Sequence, residues 1–191
     1  AKTLGVKMGA PYFKVKEFMK EYNFFVYSSN YNLYGDMSDR VMSVIKEYAN
    51  NVEVYSIDES FVDFSDLPDN NFEEKLHEIK TEVKRRTGIP VSIGVGPNKT
   101  LAKLTSSFAK KQSGYNGVCS YWSLENFNVM SYSMKIDNVW GIGRMWKKKL
   151  NKLGIKSVGD FTSLPNQTVR SLLNVNGLKT KMELEGVYCH E

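Results

Sequence analysis

The sequence predicts an α+β chain: a split βαβ, ferredoxin-like sheet that lacks its first strand, followed by an all-helical segment. Three observations predict it. From Met37 onward the patterns run helix, strand, strand, helix, strand. Two acidic neighbours, Asp58-Glu59, interrupt a run of β-branched and aromatic residues. Beyond about residue 123 the pattern changes to short helical pieces with glycine turns.

Each element has its own warrant. Residues 1–22 mix glycine, Pro11 and lysines, with a helical stretch around Val15–Tyr22. The apolar run Phe24–Tyr27 predicts a short strand, and Ser28-Ser29-Asn30 a polar turn. Met37, Val41, Val44, Ile45 and Tyr48 fall at the three-to-four spacing of a helix with one buried face. Across Val52 to Phe64, a single strand would throw Asp58 and Glu59 to opposite faces. A hairpin of Glu53–Ile57 and Ser60–Phe64 instead puts both carboxylates at its tip. Phe72, Leu76, Ile79 and Val83 predict a helix over 71–86. Pro90 ends that connection, and Val91–Val95 is a short buried strand. A helix over 99–111 turns Leu101, Leu104 and Phe108 inward and Lys99, Lys103 and Lys110 outward. The last third reads Val139-Trp140-Gly141-Ile142-Gly143, a helix Arg144–Leu153, Gly154, and helices near Val158–Ser163 and Gln167–Leu173.

Composition narrows the function classes. With 41% hydrophobic and 25% charged residues, the 191-residue chain has ordinary globular usage, which argues against disorder. No signal-peptide stretch opens it, and no run approaches a membrane span. Cys119 and Cys189 cannot make a disulfide framework, in keeping with a reducing cytosol. Together with His77 and His190 they are too scattered for a zinc site, so any metal should be a hard cation held by carboxylates. A net charge of +5 permits a polyanionic partner without demanding one.

Three motifs could carry chemistry. Adjacent carboxylates between apolar strands repel unless a cation sits between them, and magnesium suits such oxygen donors; on spacing alone, a polar hairpin tip explains Asp58-Glu59 better. Gly94-Val95-Gly96-Pro97-Asn98-Lys99-Thr100 fails the phosphate-loop pattern because Asn98 precedes the lysine, leaving a strand-to-helix turn with Asn98 as N-cap. The lysine face that follows could neutralise a triphosphate, but solvation is the simpler reading. Val139–Gly143 is either a turn between packed helices or the hairpin of a helix-hairpin-helix, whose glycine amides approach a phosphate closely. Arg144, Lys147, Lys148, Lys149 and Lys152 add positive charge beside it.

Taken together and in order, these pieces resemble the Y-family, translesion DNA polymerases. Tyr55-Ser56-Ile57-Asp58-Glu59-Ser60-Phe61 resembles their catalytic palm signature. Gly94–Lys103 and Phe108-Ala109-Lys110-Lys111 resemble the palm segment that follows, and Val139–Gly143 the thumb hairpin. Leu4–Pro11 is similar to the end of the fingers. Asn30–Ser38, with Val139–Arg144, points toward the UmuC branch, the catalytic subunits of bacterial DNA polymerase V. The resemblance spans essentially the whole chain. It implies the end of the fingers over 1–29, a palm over 30–122 and a thumb over 123–191.

The resemblance also implies roles, and it reverses the reading of the acidic pair. Asp58 would bridge two magnesium ions, and Glu59 would bind the ion that activates the primer 3′-hydroxyl. Lys110 matches the palm lysine that contacts the incoming deoxynucleoside triphosphate; Lys2 stands at a fingers position for the same phosphates, where arginine is commoner. Gly141 and Gly143 match the thumb amides that hold the primer-template DNA, with Arg144 beside them. It further implies a cytoplasmic bacterial protein of the SOS response to DNA damage, with UmuD′, RecA and the sliding clamp as partners. Two departures follow. The family's first metal-binding aspartate and its aromatic sugar gate lie upstream of what Ala1 matches, and the little-finger domain has no counterpart here. The expectation is therefore an internal piece of a polymerase that does not extend a primer by itself. Two rivals stand beside it. Nucleotide cyclases share a carboxylate-bearing hairpin, but residues 123–191 argue against them. A non-catalytic DNA-binding or partner-binding module would use the helix-hairpin-helix alone.

Overall fold

The computed structural model describes residues 1–65, 72–124 and 126–189; His190, and Asn71 at the start of an expected helix, lie outside them. The chain divides into two compact units, Ala1–Asp36 and Met37–Glu191.

In the first unit a short 3₁₀ turn, Lys2–Leu4, is closed by Gly5 at φ 91°, a left-handed conformation that glycine adopts without penalty. Helix α1 (Tyr12–Glu21) starts after Pro11, and its Phe18 ring lies 4.6 Å from Tyr22 and 6.4 Å from Phe24. The strand expected at Phe24–Tyr27 does not form: residues 24–30 carry no regular element, and Phe25, Val26 and Tyr27 are exposed. Apolar composition favours a strand only where a neighbour accepts its hydrogen bonds, and among the described residues none pairs with this run. Helix α2 (Tyr31–Lys46) starts ahead of the apolar spacing, because the Asn30 side chain accepts the Leu33 N–H at 3.1 Å. The division between the units falls inside it.

In the second unit Val41 and Val44 of α2 bury with Ile79 and Val83 of α3 (Phe72–Thr87). Strands β1 (Asn51–Ser56) and β2 (Glu59–Asp63) form the expected antiparallel hairpin, with Glu53 opposite Phe61 and an irregularity between Val54 and Ser56. Strand β3 (Ile93–Val95) crosses over through α4 (Lys99–Lys111) to β4 (Val118–Ser120), which lies parallel to it. The two ladders are separate two-stranded sheets. Asn98 caps α4 by accepting the Leu101 N–H at 2.9 Å, so the glycine-bearing stretch is the strand-to-helix turn. Its glycines serve packing: a Cβ on Gly94 would stand 2.0 Å from the Ser106 nitrogen of α4.

Helices α5 (Phe127–Ser131), α6 (Arg144–Lys152), α7 (Val158–Thr162) and α8 (Asn166–Leu184) follow. Helix α8 breaks at Asn174 (φ 64°), so the expected Gln167–Leu173 helix is its first half. One buried cluster, including Leu101, Leu104, Cys119, Ile136, Leu150, Phe161, Leu173 and Leu184, joins α4 to every later helix. Burial pushes the Cys119 thiol up to about 11, which makes it a packing residue rather than a nucleophile. Glu183 is also buried; its carboxylate accepts the Thr100 hydroxyl and the Cys189 N–H (3.1 Å), and its carbonyl accepts from Asn98 (2.8 Å). These bonds tie the end of α8 to the start of α4 and satisfy an otherwise costly buried acid.

Candidate functional site

Alternation along the hairpin puts Glu53, Tyr55, Glu59 and Phe61 on one face. Lys99 and Lys103, one helical turn apart on α4, meet that face: Lys99 Nζ is 2.6 Å from Glu53 Oε2, and Lys103 Nζ is 2.8 Å from Glu59 Oε2. The lysine face was expected to be solvated. Two of its three lysines instead fold onto the hairpin, their side chains only 17% and 20% exposed, because two carboxylates at matching spacing await them.

Aromatic rings complete the contact. The Lys103 ammonium lies 4.6 Å from the ring centre of Tyr55, 5.5 Å from Trp140 and 5.8 Å from Phe61, all within cation–π range. The three rings are 5.6–5.8 Å apart, and the Trp140 Nε1–H donates to the Tyr55 hydroxyl at 3.2 Å. The residue next to Gly141 is thereby fixed against the acidic hairpin.

Asp58 occupies the turn of that hairpin and Glu59 opens β2; both are exposed. Asp58 Oδ1 accepts the Ser56 hydroxyl at 2.7 Å. Among the described residues no three His, Cys, Asp or Glu side chains cluster as a metal site; Asp58 and Glu59 are adjacent, exposed, hard oxygen donors. Lys110 is exposed at the end of α4, seven residues and about 10 Å along the axis from Lys103 on the same stripe. Lys2 is exposed in the first unit and is described there alone.

The glycine hairpin is pinned by buried Val139 and Ile142, leaving Gly141 and Gly143 exposed. Gly141 requires its φ of 83°; Gly143 is the N-cap of α6 and offers no side-chain cap to the helix's first amides. Exposed Arg144 stands immediately after it. Lys147 bonds Asp137 at 2.6 Å and holds that carboxyl below the usual carboxylate range, while Lys111 reaches Asn138 at 2.5 Å. The second unit thus contains Asp58, Glu59, Lys110, Gly141, Gly143 and Arg144. The partners that escaped sequence reasoning are Glu53, Lys99 and Lys103 and the Tyr55–Phe61–Trp140 rings; the period-two face of the hairpin and the four-residue lysine spacing were the available signal.

Over 193 residues the chain is 39% identical to Protein UmuC of Salmonella typhimurium, covering 100% of this chain and 46% of that one. It is 30% identical over 189 residues to DNA polymerase IV of Bacillus velezensis, covering 98% and 44%. Among solved structures, a DinB family error-prone DNA polymerase from Sulfolobus solfataricus superposes with a TM-score of 0.81 at 28% identity, covering 100% of this chain and 56% of that chain. An insertion ternary complex of Dbh DNA polymerase gives 0.80 at 28% identity, covering 100% and 54%. The chain spans about half the length of the curated relatives it matches. With the impB/mucB/samB family profile matching residues 1–107, more than half of its length, the chain belongs to the impB/mucB/samB family.

Proposed function

We propose that this chain forms part of a DNA-directed DNA polymerase for translesion synthesis, joining nucleotides at a primer 3′ end with two magnesium ions. The observation that carries this reading is the join between two motifs: the Trp140–Tyr55 bond holds the glycine hairpin against the strand that leads to Asp58 and Glu59. A carboxylate pair and a phosphate-gripping turn on one body are two of the elements that primer extension needs. On this reading residues 1–29 are the end of the fingers, 30–122 a palm and 123–191 a thumb. The separate β1–β2 and β3–β4 ladders are also the pieces left when a split βαβ sheet lacks the strand between them.

Asp58 and Glu59 would hold the magnesium. When bound, it would lower the cost of deprotonating the 3′-hydroxyl and neutralise charge on the triphosphate. Lys110 and Lys2 would bind the triphosphate. Gly141 and Gly143 would give their amides to the DNA backbone, and Arg144 would add charge at a helix N-terminus without reading bases. For the whole protein, the UmuC likeness supports an SOS role in the bacterial cytoplasm with UmuD′, RecA and the sliding clamp. Among the described residues no helix is long and apolar enough to cross a membrane.

Two carboxylates offset only half the charge of two divalent ions, so this chain alone is expected to take up paired magnesium poorly and to leave a primer unextended. Primer extension tests the assignment. In the full-length polymerase, Asp58→Ala abolishes incorporation and leaves primer-template affinity within about twofold; retained synthesis refutes the role of Asp58.

A further inference from the structure

The ion pair between Lys103 and Glu59 has no part in the scheme above, yet it occupies one of the two proposed metal ligands. Resting on the reading of Asp58 and Glu59 as cation ligands, we propose that Lys103 is a positioning residue: a tethered cation that competes for the Glu59 carboxylate and sets how tightly the hairpin tip takes a divalent ion.

Four features support it. The ammonium sits 2.8 Å from Glu59 Oε2, a charge-assisted bond that uses a lone pair an incoming ion would need. Tyr55, Phe61 and Trp140 lie 4.6–5.8 Å from it, so the cation keeps favourable ring contacts when the carboxylate turns away. It therefore remains close at every metal concentration and can return when the ion leaves. The Glu59 side chain is half exposed, which opens the carboxylate to solvent ions while the lysine stays largely enclosed. Lys99 makes an equivalent bond to Glu53 one turn earlier, so α4 stays docked on the hairpin without Lys103.

A divalent ion at Glu59 must either displace the ammonium from Oε2 or share the carboxylate with a neighbouring positive charge. Both lower its affinity. A partly exposed pair of this kind is worth a factor of about two to five. The cage also holds the empty carboxylate neutralised and in place, so the ligand set persists between successive ions.

Calorimetric titration of the full-length polymerase with manganese chloride, repeated with magnesium chloride, tests the proposal. Lys103→Met is expected to bind about two- to fivefold more tightly than the unaltered polymerase. Lys103→Arg, which keeps the charge, is expected to match the unaltered polymerase, and Lys103→Gln serves if the methionine variant melts early. Glu59→Gln should weaken binding whichever residue stands at 103. Equal or weaker binding by Lys103→Met and Lys103→Gln overturns the proposal while leaving the metal ligands intact. No uptake by the unaltered polymerase or either neutral variant, or unchanged uptake by Glu59→Gln, overturns the metal reading and the proposal with it.

Discussion

The indole N–H of Trp140 donates to the hydroxyl of Tyr55 over 3.2 Å, joining residues 139–143 to the first strand of the acidic hairpin across 85 positions of sequence. Tyr55→Phe removes the acceptor while keeping the ring, and is expected to cost about 0.5–1.5 kcal/mol. Trp140→Phe should cost more because it also loses packing area against Phe61. Urea unfolding of both single variants and the double variant isolates the bond: the double should be less destabilised than the sum. Strict additivity would mean the two groups do not interact in solution.

Glycines in the second unit serve opposite ends. At Gly94 a methyl would collide with the Ser106 nitrogen at 2.0 Å and the Ala102 oxygen at 2.3 Å, so Gly94→Ala must push α4 off β3 and should cost roughly 3 kcal/mol. Gly143 has φ −76° and open space around it, so Gly143→Ala should cost under about 1 kcal/mol. If its backbone approaches a phosphate, however, the same methyl should weaken primer-template binding several-fold. Denaturation and fluorescence anisotropy on the two variants separate the roles.

Primer-template binding through Arg144 and the neighbouring lysines should fall steeply as salt rises, because each neutralised phosphate releases counterions. Arg144→Ala is expected to reduce the slope of log affinity against log salt by about one, with little dependence on DNA sequence. An unchanged slope would place Arg144 outside the interface.

Asp160 closes the capping box of α7, accepting the Lys156 and Ser157 amides at 3.0 and 2.9 Å while Ser157 accepts the Asp160 N–H. Those bonds hold its carboxyl below the usual aspartate range. The folded pKa is depressed, so its contribution to stability is full above about pH 4, the unfolded value, and fades as pH falls through the folded one. Asp160→Asn should therefore lower the urea midpoint at pH 7, with the deficit shrinking as the pH falls below about 4. A constant deficit would show that the carboxylate charge is not what stabilises the turn.

The sequence made some of this legible and hid the rest for identifiable reasons. Helices α2, α3 and α4 announced themselves because their apolar residues recur along one stripe, and the hairpin because a doublet of acids cannot sit mid-strand without a turn. Strand β4 is only Val118-Cys119-Ser120, too short for any period, although all three residues are buried. Phe24–Tyr27 misled in the opposite direction, since composition does not reveal whether a partner strand exists. Within the site, Asp58 and Glu59 were conspicuous as adjacent charges. The pairing of Lys103 with Glu59 was not, because it depends on the register of the hairpin and on how α4 docks, neither of which is local.

The buried cluster from Leu101 to Leu184 has a further consequence. Helix α4, which docks on the acidic hairpin, and the stretch proposed to clasp the duplex share one apolar interior, with no seam at residue 122. Neither could be exchanged for a foreign counterpart without recarving the other's inner face. Divergence among such chains should thus be freest at the solvent rim of each turn, and the two stretches should be inherited as one block.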